Sequence, residues 1–337
     1  MNYLPKFYPD ELFVSWLSRY FVHSGHALHS AVLREFFCKR SDNPSKEFLG
    51  NLNEKAKKLI QSNVKPLRLV ILQSTMVPQY ARFLSLAEKQ EALHRMEFDY
   101  CDPHFLFPIL VRNEEDAFLR YCPACAQENR ETYGEAYWHR RHQLRGARVC
   151  YKHGCWLEQS TVSAKSEQGF TLCPAEEYAV IDTPRACDNP ELLRYTRFIS
   201  DVFDAPMDFE QDIPISAVLY NAMACTDYMK STGRSRHTQR FADDLRSYYE
   251  GMGLSGVATM NQIQRTLLMG HTEVTTVCQI AFFLGMTVDE LTAPELTPEQ
   301  IAAERETHYT RDRTPVDWAE FDAETAKILE PLAQSIY

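Results

Sequence analysis

The chain has 337 residues, 45% hydrophobic and 24% charged, an ordinary globular composition with room for two or three cores at roughly 100–200 residues each. It excludes disordered, collagenous and coiled-coil chains. No stretch approaches the roughly 20 uncharged apolar residues of a membrane span, and the opening MNYLPKFYPDEL has neither a basic nor an apolar leader region, so a cytoplasmic protein with no membrane partner is expected. The net charge of −10 divides unevenly: residues 1–160 hold 22 Lys/Arg against 18 Asp/Glu, and the rest hold 14 against 28. Either binding surfaces are segregated or the second half carries an acidic solvated face.

Taken in chain order, Pro9-Asp10 supplies a helix start, Leu12, Trp16, Leu17 and Tyr20 recur at helical spacing, and Gly25 marks a stop before a second run over residues 27–37. Two short helices with a glycine junction suit a helix-turn-helix or any small helical bundle. Asn43-Pro44 reads as a cap with a first-turn proline, and residues 53–62 as a helix with Leu59 and Ile60 inward. Pro66 ends that run and opens another to about Thr75, with Leu67, Val70 and Ile71 as its apolar stripe. Residues 122–153 change character, to short aromatic and cysteine-containing pieces with little helical periodicity.

Helical segments resume over residues 190–249, broken by Pro206, Pro214 and a polar loop at 231–237. Residues 261–270 predict one helix and residues 274–284 a dense apolar second. Gly285 then acts as a stop, and Thr287 with Glu290 forms a capping box that opens a third helix. This helix, glycine turn and capped helix over residues 277–291 resembles a helix-turn-helix. Its second helix would meet phosphate with Asp289 and Glu290, which favours packing over DNA reading. The acidic stretch 286–337, with 12 Asp/Glu against 4 Lys/Arg, reads as a peripheral helical tail.

Ten cysteines are too few for a disulfide scaffold of this size, so their spacing carries the information. Cys122-Pro123-Ala124-Cys125 and Cys150-Tyr151-Lys152-His153 form C-x2-C and C-x2-H pairs, each able to grip one side of a tetrahedral ion. Cys122, Cys125, Cys150 and His153 are therefore the expected ligands of a structural zinc, with no coordination position left for substrate. Cys155, Cys173 and Cys187 lack such spacing and read as buried thiols. A zinc deaminase is excluded, because its P-C-x-x-C is absent and the H-x-E at His271 lies far downstream. There is no P-loop or nucleophile elbow, and Gly251-Met252-Gly253-Leu254-Ser255-Gly256 follows a charged helix rather than a strand, so it reads as an interhelical loop. Between the two zinc pairs, residues 136–157 contain Arg140, Arg141, Arg145, Arg148 and Lys152 and no acid, a local positive patch suited to phosphate. Trp138 can stack on a nucleotide or fill the module's own small core, and His139 and His142 can serve as replacement ligands or phosphate donors, or be solvent-facing or hydrogen-bonded histidines.

The sequences Leu4-Pro5, Tyr8-Pro9-Asp10-Glu11-Leu12, Ser15-Trp16, Tyr121-Cys122-Pro123-Ala124-Cys125, Tyr133-Gly134-Glu135-Ala136-Tyr137-Trp138-His139-Arg140 and Cys150-Tyr151-Lys152-His153-Gly154 together resemble the TniQ/TnsD family of transposon target-selection proteins. The resemblance runs in order over roughly residues 3–160. It implies a non-enzymatic selector that binds double-stranded DNA at an attachment site, recruits an AAA+ ATPase regulator and so brings the transposase. The alternative it implies is an adaptor docking on an RNA-guided CRISPR effector complex. Cys122, Cys125, Cys150 and His153 match the family's zinc ligands. Trp138, His139, Arg140, Arg141, Arg145, Arg148 and Lys152 become the expected DNA contacts, with Arg140 as the leading phosphate contact.

Pro315-Val316-Asp317-Trp318-Ala319 with Asp322 is similar to the start of a segment that leads, in longer members, into further DNA-reading modules, so a shortened chain is expected. The expected fold is mainly α: a helical TniQ domain over residues 1–115, a zinc-finger module over 116–160, a helical domain with the helix-turn-helix-like element over 161–300, and the acidic tail over 301–337.

Overall fold

The computed structural model describes residues 4–38, 46–98, 107, 116–164, 171–180, 183–229, 237–269 and 273–309. The chain is mainly helical, as expected. Asn43-Pro44, most of the 231–237 loop and the Val316 to Asp322 stretch lie outside the described residues.

Six helices come first: α1 (Phe13–Ser24), α2 (His29–Phe36), α3 (Glu54–Asn63), α4 (Leu67–Ser74), α5 (Val77–Ala81) and α6 (Leu86–Phe98). Gly25 ends α1 at φ 74, a left-handed conformation that costs glycine little. Asn53 caps α3 by accepting from the Ala56 N–H at 2.9 Å. Leu67, Val70 and Ile71 are buried as their spacing predicted. The first helix begins later than Pro9-Asp10 implied, because Asp10 adopts φ 57 and Glu11 bridges to His139. The chain there is a turn and a strand-like contact rather than a first helical turn.

Strand β1 (Phe118–Tyr121) pairs antiparallel with β2 (Glu158–Ser163) and closes the base of the cysteine region. Between them stands α7 (Pro123–Tyr133), a helix that sequence periodicity missed. Four buried residues in eleven (Pro123, Cys125, Ala126, Asn129) are too few for an apolar stripe to show. Its punctuation was nevertheless present: Cys122 at the N-cap, Pro123 in the first turn and Gly134 at the left-handed C-cap.

The remaining helices are α8 (Ala175–Tyr178), α9 (Pro190–Asp204), α10 (Ile215–Ala224), α11 (Thr238–Gly251), α12 (Met260–Met269), α13 (Val274–Phe283), α14 (Val288–Thr292) and α15 (Pro298–Tyr309). The capping box forms as read: Thr287 accepts from the Glu290 N–H while Glu290 accepts from the Thr287 N–H. Helix α13 is buried along most of its length, whereas α14 has five residues of which Leu291 alone is buried. Residues 252–259 form the loop expected of the glycine-rich segment.

The described core is one connected apolar cluster running from Leu12 through Trp138 to Leu291. Helix α5 touches both α9 and α13. Next to it, the buried Arg82 donates to the Phe203, Ala205 and Pro206 carbonyls at 3.0, 2.5 and 3.3 Å, capping the C-terminus of α9 where unpaired carbonyls collect. Lys89 donates to the Asp208 carbonyl further along the chain at 2.8 Å.

Candidate metal centre and its joint with the N-terminal helices

The four expected ligands converge. Cys122, Cys125 and Cys150 are buried, His153 is half-buried, and their donor atoms all lie within 4.8 Å of one another. Cys125 Sγ lies 3.7 Å from Cys150 Sγ, and His153 Nδ1 lies 3.5, 3.3 and 3.7 Å from the sulfurs of Cys122, Cys125 and Cys150. A tetrahedron built on bonds of roughly 2.3 Å to sulfur and 2.0 Å to nitrogen has edges of about 3.8 and 3.5 Å, so the set fits such an ion.

The knuckles are shaped for thiolate. The Cys125 N–H donates to Cys122 Sγ and the His153 N–H to Cys150 Sγ, each at 3.4 Å. Glu128 on α7 accepts from the far side of the His153 ring, Nε2 to Oε1 at 3.0 Å, which turns Nδ1 toward the sulfurs. Protons are shared unevenly in this crowd: hydrogen bonding to Cys125 and Cys150 pushes the Cys122 thiol up, and bonds from Cys122 and Cys125 bring Cys150 down. A bound cation would stand in for those protons.

Three residues of the neighbouring basic block that were expected to contact DNA are buried. Trp138, His139 and Arg140 are 1%, 8% and 5% exposed, so their side chains are part of the interior rather than a surface for DNA. Trp138 donates its indole N–H to the Cys173 carbonyl at 2.8 Å. His139 stacks on Tyr137 and receives the Asn129 side-chain N–H at 2.9 Å, and burial holds its pKa well below the usual histidine range, so it is neutral. His142 is buried as well, which rules out a solvent-facing role.

Arg140 joins three parts of the chain. It donates from Nε to Asp10 at 3.2 Å and from Nη1 to the Leu72 and Thr75 carbonyls at 2.9 and 3.3 Å, and its guanidinium lies over the Phe203 ring. Asp10 also accepts the Arg141 backbone N–H at 3.1 Å, while burial raises its pKa against the pull of both arginines. Arg141 pairs with Asp204 at 2.6 Å and lies over Tyr151. Arg145 reaches the Tyr80 hydroxyl at 3.4 Å, Arg148 lies 3.8 Å from Asp116, and the exposed Lys152 pairs with Glu128. Four of the five cations that look unopposed in sequence thus meet Asp10, Asp116, Glu128 and Asp204, and Arg145 meets Tyr80.

A second half of the joint was not anticipated. The Trp138 N–H donates to Ser15 Oγ at 3.0 Å, and Ser15 donates to Glu11 at 3.1 Å. Glu11 is fully buried and pairs with Arg19 at 2.9 Å, and Arg19 also reaches Glu135 at 2.7 Å. Backbone bonds close the seam, Leu12 N–H to Trp138 O at 3.0 Å and Arg140 N–H to Asp10 O at 2.9 Å. The motif residues near the N-terminus and those in the aromatic block are therefore two faces of one contact.

Beside it lies a cleft of about 850 Å³ lined by Lys6, Phe7, Lys65, Leu72, Phe203 and Met207, with Arg140 at its wall. Burial and the Arg140 charge bring the Lys65 ammonium down to about 8, against the pull of Glu11. A lysine lowered in the fold costs stability while protonated, and that cost fades as pH rises from about 8 toward 10.5. Replacing Lys65 by Met should raise stability at pH 7 by about 1 kcal/mol, a figure reduced for the partial solvation of the side chain. Denaturant midpoints should show that gain shrinking by pH 10; a gain of equal size at both pH values would contradict the assignment.

Comparison with known proteins places this architecture. Residues 3–157 match the TniQ family model. Among curated relatives, the Transposon Tn7 transposition protein TnsD of Escherichia coli is 29% identical over 156 residues, covering 46% of this chain and 31% of that protein. The chain thus matches about a third of its relative's length. The matched region holds all four metal-binding candidates and both faces of the buried joint. Over residues 3–157, the chain is similar to the TniQ family.

Proposed function

We propose that this chain is a target-selection component of a Tn7-type transposition system: a non-enzymatic adaptor that marks an insertion site and recruits an AAA+ ATPase regulator, and through it the transposase. The observation that carries this reading is the match to a transposition protein across the region that builds the metal centre and the joint. The ion is zinc and its role is structural, because three cysteines and one histidine fill a tetrahedron and leave no position for substrate.

Recruitment in this reading runs through protein surfaces shaped by the joint. The burial of Trp138, His139 and Arg140, and the partners that Arg141, Arg145, Arg148 and Lys152 have within the chain, support a reading in which this block packs inside the fold. That balance favours the adaptor that docks on an RNA-guided effector complex over one that reads DNA through this loop. DNA contact would then fall to other surfaces or to partners.

The test is reconstituted transposition with a Tn7-type ATPase regulator and transposase. Insertions should cluster at a defined site when the chain is present and scatter or cease without it, and the ATPase should co-elute with the chain. An unchanged insertion profile without the chain would overturn the proposal. Enrichment of one locus by the chain alone on naked genomic duplexes would restore direct DNA reading.

A further inference from the structure

The second knuckle does not end at His153. Gly154, at φ 63, folds the chain back so that its N–H donates to the Cys150 carbonyl at 2.8 Å, and the Cys150 N–H donates to the Cys155 carbonyl at 2.7 Å. This closed turn sets Cys155 Sγ 3.3 Å from Cys122 Sγ, inside hydrogen-bond range and far beyond the roughly 2.05 Å of a disulfide. Cys155 is 3% exposed, so an ordinary packed thiol is one reading of it. Its contact with a ligand sulfur goes further than packing.

His153 is the weak member of the ligand set. Its side chain is 20% exposed, whereas the three cysteines are nearly fully buried, and its outer nitrogen is held by Glu128, which is 44% exposed and shared with Lys152. His153 and Cys155 stand two residues apart on the same turn. On the opposite side His142, 1% exposed, brings Nε2 to 3.7 Å from the sulfurs of both Cys125 and Cys150, while its Nδ1 has no hydrogen-bond partner. The centre is therefore flanked by two buried donors beyond the four that complete a tetrahedron, and of these Cys155 shares a turn with the ligand best placed to leave.

We propose that Cys155 is a reserve fifth donor of the metal centre. While His153 coordinates, the Cys155 thiol donates its hydrogen to the Cys122 sulfur. When the His153 position opens, Cys155 takes it, and the ligand set passes from three thiolates and one imidazole to four thiolates with the ion retained. One bond replaces another: the His153 Nδ1–metal bond breaks, the Cys155 Sγ–metal bond forms, and the Cys155 proton passes to the displaced imidazole. The inference rests on the four-ligand centre proposed above.

Cobalt(II) loaded into the full chain tests it, because the sulfur-to-cobalt charge-transfer absorption scales with the number of thiolates bound. The wild-type chain should bind one cobalt with three-thiolate intensity. His153→Ala should still bind one cobalt, with intensity higher by about a third, as four thiolates replace three. Cys155→Ser should keep the wild-type spectrum but lose cobalt to a chelator faster. The double variant should bind at least about 10-fold more weakly than His153→Ala, the scale of losing a supporting group at a metal site. Three-thiolate intensity in His153→Ala would show that His142 or water fills the place and would overturn the proposal. So would loss of cobalt from His153→Ala as complete as from the double variant. A wild-type chain that binds no cobalt and no zinc would overturn the metal centre itself, a different failure.

Discussion

Replacing Arg140 by Met is expected to destabilise the chain by about 3–5 kcal/mol, the range for stranding one partner of a buried ion pair. The loss has three sources. The Asp10 carboxylate, 8% exposed, keeps the Arg141 N–H but loses its closest cation; the Leu72 and Thr75 carbonyls lose their donor; and the Phe203 ring loses the guanidinium above it. Adding Asp10→Asn removes the stranded charge while keeping a residue that tolerates φ 57, so the double variant should recover part of the loss. Denaturant unfolding of the two single variants and the pair measures this. Additive losses would mean that Arg140 and Asp10 are not coupled.

The second large effect is expected at Cys125. Its sulfur faces Cys150 and His153, its backbone N–H braces Cys122, and it lies in the first turn of α7. A serine there removes one of four donors, and a structural ion whose binding energy is folding energy leaves with it. Cys125→Ser, or stripping the wild-type chain with a strong chelator, should unfold residues 122–157 and release the joint, because Trp138 and Arg140 are held from that segment. Amide exchange at residues 12–20 should rise together with exchange across the cysteine region. Full metal content and unchanged melting in Cys125→Ser would contradict the assignment.

Much of the fold was legible because its signals are local. Asn53, Gly25, Pro66, Thr287 and Glu290 act within one helical turn of where they stand, and the two cysteine pairs carry their own geometry in a two-residue gap. Helix α7 escaped notice since only four of its eleven residues are buried and its cap is itself a metal-ligand candidate. The basic block misled for a different reason. No acid occurs between residues 136 and 157, yet the neutralising carboxylates arrive from positions 10, 116 and 204, a distance along the chain that local charge counting cannot see. Tyr8-Pro9-Asp10-Glu11-Leu12 and Tyr137-Trp138-His139-Arg140 resemble surface recognition motifs only while they are read apart. Glu11, Ser15 and Arg19 were left without a role for the same reason, and the pairing of Glu11 with a cation eight residues on at helical spacing was the signal available. Cys155 was read by spacing alone, which cannot report that the Gly154 turn aims it at Cys122.

We propose that the block Tyr137 to Arg140 is an internal joint and not a DNA contact. The most direct measurement is the affinity of the folded, metal-loaded Arg140→Met/Asp10→Asn variant for duplex DNA and for the ATPase regulator, across a salt series beside the wild-type chain. Both proteins are expected to show the same DNA affinity and the same salt slope, with regulator binding retained. A folded variant that lost DNA affinity, with its salt slope reduced by about one phosphate contact, would put Arg140 on the DNA and contradict the internal joint.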